Sequence, residues 1–267
     1  MDTLLPPMIA AARAGGAVLK HYFGQTLALE HKSGASDFRT IADLESEEAI
    51  LRCLAKDFPD YNIFSEERDF LDKKSDFTFQ VDPLDGSYNY VCGIPMFSVS
   101  IGLLEGERIV AGVVYDPMLD RMFTAARGTG AALNGASIHV NTESRVHHAS
   151  IMHNCGWARA VSRVRSVREV LRELEPKRIF TNWSVALDFC LLASGKVEVI
   201  VTDESAVYDF AAGKIIAKEA GARITDFSGA PEHSEKNKSF VATNGTLVHD
   251  VLVKALQSFD EGNSQGS

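Results

Sequence analysis

The sequence predicts an α+β fold made of two packed halves, and three observations predict it. Apolar residues recur at helical spacing as far as Phe58. They alternate with polar residues from Phe77 to Ala125, and then gather into alternating helix-like and strand-like segments. The 267 residues, 45% of them hydrophobic, suffice for one large core or two packed halves.

In chain order, Leu5, Met8, Ile9, Ala12, Gly16, Leu19 and Phe23 form one stripe of a first, amphipathic helix. Glu30 to Thr40 is polar, contains Gly34 and is expected to be a loop. Ile41, Leu44, Leu51, Leu54 and Phe58 mark a second helix, ended by Pro59. Asn62 to Phe64 is a short strand. Phe77, Phe79 and Val81 then alternate with polar residues, and Phe97, Val99, Ile101 and Leu103 alternate with Ser98, Ser100 and Gly102. Arg108 to Tyr115 and Arg121 to Ala125 are further strands, with turns at Glu105-Gly106 and Asp116-Pro117, and such short connections imply an antiparallel meander. Beyond residue 145, helices are expected over 158–174, 184–193, 209–220 and 247–259, and strands over 178–181, 197–201, 222–225 and 239–242. The organisation expected is an α+β half over 1–145, an α/β half over 146–259, and a disordered polar tail over 260–267.

Composition excludes several function classes. A net charge of -9 argues against a broad basic face for nucleic acid. No apolar stretch reaches the ~20 residues of a membrane span. Asp2, Pro6-Pro7 and Arg13 spoil the resemblance of the first residues to a signal peptide. Cys53, Cys92, Cys155 and Cys190 contain no CxxC pair, so reduced thiols in a cytoplasmic protein are expected, with Cys92 a packed one. His147, His148 and His153 are expected in a surface loop rather than around a metal, and Arg159, Arg163, Arg165, Arg168 and Arg172 on a solvated helix face, with contact to an anionic substrate or a partner subunit as the alternative.

The chemistry concentrates at Val81-Asp82-Pro83-Leu84-Asp85-Gly86-Ser87. A strand delivers two aspartates three apart, and Pro83 and Gly86 tighten the backbone between and after them. Two carboxylates that close repel unless a cation lies between them, and hard oxygens suit Mg²⁺ or Mn²⁺. Backbone N–H groups of Gly86 and Ser87 suit a phosphate. Taken alone, the same residues also make an ordinary surface turn. Three further segments bear on the choice: Ser65-Glu66-Glu67, the run with Lys32, Asp37 and Asp43, and Tyr208-Asp209-Phe210-Ala211-Ala212-Gly213. Each alone also fits a solvated turn or a helix cap.

Together and in this order, the four segments resemble the inositol monophosphatase family, within the superfamily that includes fructose-1,6-bisphosphatase. The resemblance spans Leu5 to Leu256, and the signatures at 82–87 and 208–213 match closely. It implies a layered α/β/α/β/α sandwich of the sugar-phosphatase type and a Mg²⁺-dependent phosphomonoesterase with about two or three ions per subunit, Mn²⁺ substituting. It also implies a homodimer and lithium sensitivity. Carried over, Glu66, Asp82, the Leu84 carbonyl, Asp85 and Asp209 hold the metals, with Glu66 also counted as catalytic. Asp43 and the Ser87 hydroxyl orient the attacking water. Gly86 and Ser87 bind phosphate, and Lys32 lies on the loop beside the outer metal.

The substrate region departs from the family pattern. Trp183 stands where relatives carry glycine, followed by Ser184, and Thr202, with Asp203 beside it, stands where inositol-binding relatives carry glutamate. These four are the expected contacts to the substrate's alcohol. Inositol 1-phosphate is the default substrate, with fructose 1,6-bisphosphate and histidinol phosphate behind it. Alternatives are a nucleotide 3′-phosphatase, or a regulatory relative that binds RNA or a transcription factor. No GxSxG elbow or GxxxxGK[ST] loop is present to support other chemistry.

Overall fold

The computed structural model describes residues 3–34, 37–155 and 161–264. The elements run α1 (Leu5–Tyr22), β1 (Glu30–Gly34), β2 (Asp37–Arg39), α2 (Ile41–Asp57), β3 (Asn62–Ser65), β4 (Arg68–Leu71), β5 (Phe77–Asp85) and α3 (Ser87–Val91). There follow β6 (Ser98–Glu105), β7 (Arg108–Asp116), β8 (Arg121–Ala126), β9 (Ala131–Leu133), β10 (Ala136–Ile138) and β11 (Ser150–Cys155). The chain ends with α4 (Val161–Glu173), β12 (Arg178–Phe180), α5 (Val185–Ala193), β13 (Val199–Asp203), α6 (Val207–Glu219), β14 (Arg223–Thr225), β15 (Ser239–Thr243) and α7 (Leu247–Ser264).

Five layers result. The eight-stranded sheet has the order β10-β9-β8-β7-β6-β5-β3-β4 and is antiparallel except for the parallel β3–β5 pair. One of its faces carries Phe79, Val81, Val99, Ile101 and Leu103, which pack on Met8, Ala12, Ile50 and Leu54 of α1 and α2. The other face carries the small residues of the alternation. A Cβ on Gly102 would lie 2.8 Å from Ala211 Cβ, and one on Gly112 2.6 Å from Ala212 O. Gly102 and Gly112 therefore let α6 lie directly on the sheet. The five-stranded sheet, β12-β11-β13-β15-β14, covers the far side of α5 and α6 through Met152, Ile200 and Phe240. Its outer face is closed by Val167 and Leu171 of α4 and Leu252 and Leu256 of α7. This is the α/β/α/β/α sandwich.

Four expectations change. The segment 30–40 holds an antiparallel hairpin, β1–β2, whose Glu30–Arg39 pair closes it. His153 lies on β11, between β12 and β13, and is wholly buried. Cys92 is exposed at the end of α3; like the other three cysteines it is a free thiol. The last helix continues past Phe259 to Ser264, while 265–267 lie outside the described residues. None of the described helices is long and apolar enough to cross a membrane.

Candidate active site

A β-bulge builds the centre of the site. Asp82 pairs with Ser100 and Asp85 with Ser98, so three steps on β5 face two on β6. Pro83 has no N–H to give the ladder, and the extra residue re-aims the strand. Without it, side chains three apart would point to opposite faces. With it, Asp82 and Asp85 both line one cavity of about 440 Å³. Glu66, from the turn between β3 and β4, and Asp209, at the third position of α6, line it too.

Each carboxylate has a distinct anchor. Asp85 accepts from Ser98 Oγ at 3.0 Å, Ser184 Oγ at 2.6 Å, Val185 N at 2.9 Å and Ala186 N at 3.2 Å. Asp209 accepts from Ser205 Oγ at 2.8 Å and Ala206 N at 3.0 Å. Asp82 accepts from Leu84 N at 3.0 Å. Glu66 accepts from Lys32 Nζ at 3.1 Å, and the same ammonium pairs with Glu67. Burial, then the proximity of Glu66, Asp85 and Asp209, holds the Asp82 carboxyl well above its usual range. Burial also raises Asp85 to about 6 and Asp209 to about 7, against the hydrogen bonds that lower them. Glu66 rises to about 6, again chiefly by burial.

Among the described residues, no three acidic, His or Cys side chains already enclose one metal-sized point; each is held by the donors just named. The donor set nevertheless fits a hard cation. Four mutually repelling carboxylates share the cavity with Leu84, and a positive charge relieves that repulsion. Lys32 supplies such a charge at Glu66.

Asp43 is buried at the start of α2. Its Oδ2 accepts from Thr40 N and Thr40 Oγ1, both at 2.7 Å, while Oδ1 faces the Ser87 hydroxyl at 3.4 Å. That hydroxyl donates more closely to the Leu84 carbonyl, at 3.0 Å. Gly86, at φ +94°, turns the chain into α3; a Cβ there would meet Met96 O at 3.0 Å and Trp183 O at 3.2 Å, so glycine is required twice over.

The residues expected at the alcohol end divide. Trp183 lines the cavity. Ser184 is wholly buried behind Asp85 and serves that carboxylate. Thr202 and Asp203 do not line the cavity: both are buried in β13, held between β11 and β15, and Asp203 binds Ser239 Oγ and Arg163 instead. Sequence reasoning missed Ser98 and Ser205, the hydroxyls that hold Asp85 and Asp209, and Asn154, which lines the cavity as Arg168 does. The position of Ser98 opposite Asp85 in the alternating pattern was the available signal. Arg168 belongs to the arginine helix; Arg165 and Arg172 face solvent as expected, and Arg159 lies outside the described residues.

Comparison with known proteins gives the family. The chain matches the inositol monophosphatase family over residues 1–261. It belongs to that family. A fructose-1,6-bisphosphatase/inositol-1-monophosphatase of Aquifex aeolicus is 33% identical, covering 94% of each chain. The Nus factor SuhB of Pasteurella multocida is 34% identical, over 95% of this chain and 96% of its own. The crystal structure of extragenic suppressor protein suhB from Bartonella henselae superposes with a TM-score of 0.88 at 30% identity, covering 96% of this chain and 98% of the other.

Proposed function

We propose that this family member is a metal-dependent phosphomonoesterase acting on a small phosphorylated alcohol, with Mg²⁺ the working ion and Mn²⁺ a substitute. The observation that carries the reading is the bulge that turns Asp82 and Asp85 into one cavity with Glu66 and Asp209. Those four side chains and the Leu84 carbonyl would hold the ions. When bound, the ions supply Lewis-acid stabilisation of the phosphoryl and leaving-group oxygens.

The chain's own groups do the rest. Gly86 and Ser87 offer backbone N–H groups where the phosphate oxygens arrive. Thr40 occupies Asp43 Oδ2, leaving Oδ1 and the Ser87 hydroxyl to orient the attacking water and take its proton. Burial of Asp43 raises its pKa, which makes it a better proton acceptor than an exposed aspartate. Lys32, paired with Glu66 and Glu67, limits the negative charge that a phosphate meets. We extend the proposal to a homodimer and to inhibition by lithium, both expected from the family.

The test is phosphate release from a panel of inositol, sugar, histidinol and nucleotide phosphates with Mg²⁺, with EDTA, and with Asp85→Asn. Release that both controls abolish supports the reading; silence across the panel sinks it. A regulatory binding role is the second reading. It is favoured by the relatives named Nus factor SuhB and by the exposed Arg165 and Arg172 of α4. Tight RNA or transcription-factor binding that survives Asp85→Asn would select it.

A further inference from the structure

The cavity has a wall that phosphate chemistry does not use. Trp183 sits at φ +57°, backbone that glycine adopts freely and a bulky side chain enters under strain. Strain of this kind persists where the surrounding structure enforces it, and it clusters at ligand clamps. Trp183 is 49% exposed and lines the cavity, so it is not consumed by packing. The Tyr88 ring braces it edge-on, at 5.0 Å and 73°. Phe38, Val161, Val164 and Val185 add apolar lining.

The polar side of the cavity points the same way. Apart from Glu66, Asp82, Asp85 and Asp209, no carboxylate lines it among the described residues. Thr202 and Asp203, the expected partners of a polyol's hydroxyls, are withdrawn into β13. A polyol meets Asn154, Thr181 and Arg168 but no carboxylate beyond those four, whereas an aromatic ring meets the Trp183 indole, its Tyr88 brace and the valines.

We propose that Trp183, braced by Tyr88, selects phosphomonoesters whose alcohol carries a flat aromatic ring over polyol phosphates. The proposal rests on the phosphomonoesterase reading for the placement of the phosphate. It makes Trp183 a specificity-determining residue and explains why a tryptophan occupies glycine-like backbone.

The test uses three esters of similar leaving-group chemistry: 2-phenylethyl phosphate, 2-cyclohexylethyl phosphate and inositol 1-phosphate. Binding is measured by calorimetry on the full chain, and phosphate release with Mg²⁺ in parallel. The wild type should bind the phenyl ester about tenfold tighter than the cyclohexyl ester, the size of one stacking contact. Trp183→Gly, which suits the backbone, should bring that ratio close to one, and Trp183→Phe should restore it. If Trp183→Gly fails to fold, Trp183→Leu makes the same comparison. Equal binding of the phenyl and cyclohexyl esters by the wild type, tightest binding of inositol 1-phosphate, or a ratio unmoved by Trp183→Gly would each overturn the proposal. If no ester is hydrolysed, the phosphatase reading fails, while the binding ratios still decide the role of Trp183.

Discussion

Replacing Ser184 by alanine separates two roles for this side chain. The residue is wholly buried, and its hydroxyl donates to Asp85 Oδ2 at 2.6 Å. Ser184→Ala removes one of four donors to that carboxylate and leaves Ser98 Oγ, Val185 N and Ala186 N. A hydrogen bond to a charged group contributes about 1.5–3 kcal/mol, so folding stability should fall by that order. The lost bond also favoured the charged carboxylate, so Asp85, already raised to about 6 mainly by burial, should rise further. Partners that orient a metal ligand typically carry about 10- to 100-fold in metal affinity. The assay is phosphate release as a function of Mg²⁺ concentration, alongside the thermal midpoint. The half-saturating Mg²⁺ should rise by about that 10- to 100-fold, with KM at saturating metal little changed. A wild-type Mg²⁺ dependence combined with a raised KM would refute the reasoning and return Ser184 to direct substrate contact.

Three other perturbations follow from the packing and the charges. In Gly112→Ala the new methyl would meet Ile215 Cγ2 at 2.5 Å and Ala212 O at 2.6 Å; overpacking of this kind costs about 1–3 kcal/mol, and because α6 carries Asp209, melting temperature and phosphate release should fall together. Lys32→Met leaves the buried Glu67 carboxylate with only the longer Arg39 contact, at 3.7 Å, which should destabilise the metal-free protein by about 1 kcal/mol and enlarge the rise in melting temperature that Mg²⁺ brings. His249 is buried between the hydroxyls of Thr225 and Thr243, and burial lowers its pKa from 6.5 to about 4. The unfolded chain then takes up that proton first, so the stability His249 contributes is full above pH 6.5 and is lost as pH falls toward 4. The loss should reach about 2 kcal/mol at pH 5, read as the difference in urea unfolding between the wild type and His249→Gln.

Local signals made much of this molecule legible. Phe79 and Val81 against Ser98 and Gly102 is a pattern of period two, and it marked the strands of the large sheet as two-faced, while which helices cover each face came only from the contacts. The Asp-Pro-Leu-Asp-Gly run encoded the bulge, because Pro83 interrupts a ladder wherever it lies. What stayed illegible depended on contacts distant in sequence. His153 and Thr202 sit in polar-looking stretches, yet β11 and β13 are central strands covered on both faces, and only the layering reveals that. Ser184 looked like a substrate contact because its partner, Asp85, is ninety-nine residues away. The β1–β2 hairpin is short and polar, and cross-strand pairing such as Glu30 with Arg39 leaves little trace in composition.

On the function proposed above, Glu66, Asp82, Asp85 and Asp209 form one cation site that drives phosphate ester hydrolysis. The most direct measurement is calorimetric titration of Mg²⁺ into metal-free wild type and Asp85→Asn, with phosphate release assayed on the same samples. Binding should be saturable in the wild type and weakened at least about tenfold by Asp85→Asn, and release should track occupancy. Undiminished Mg²⁺ binding in Asp85→Asn, or release that persists in EDTA, would contradict that function.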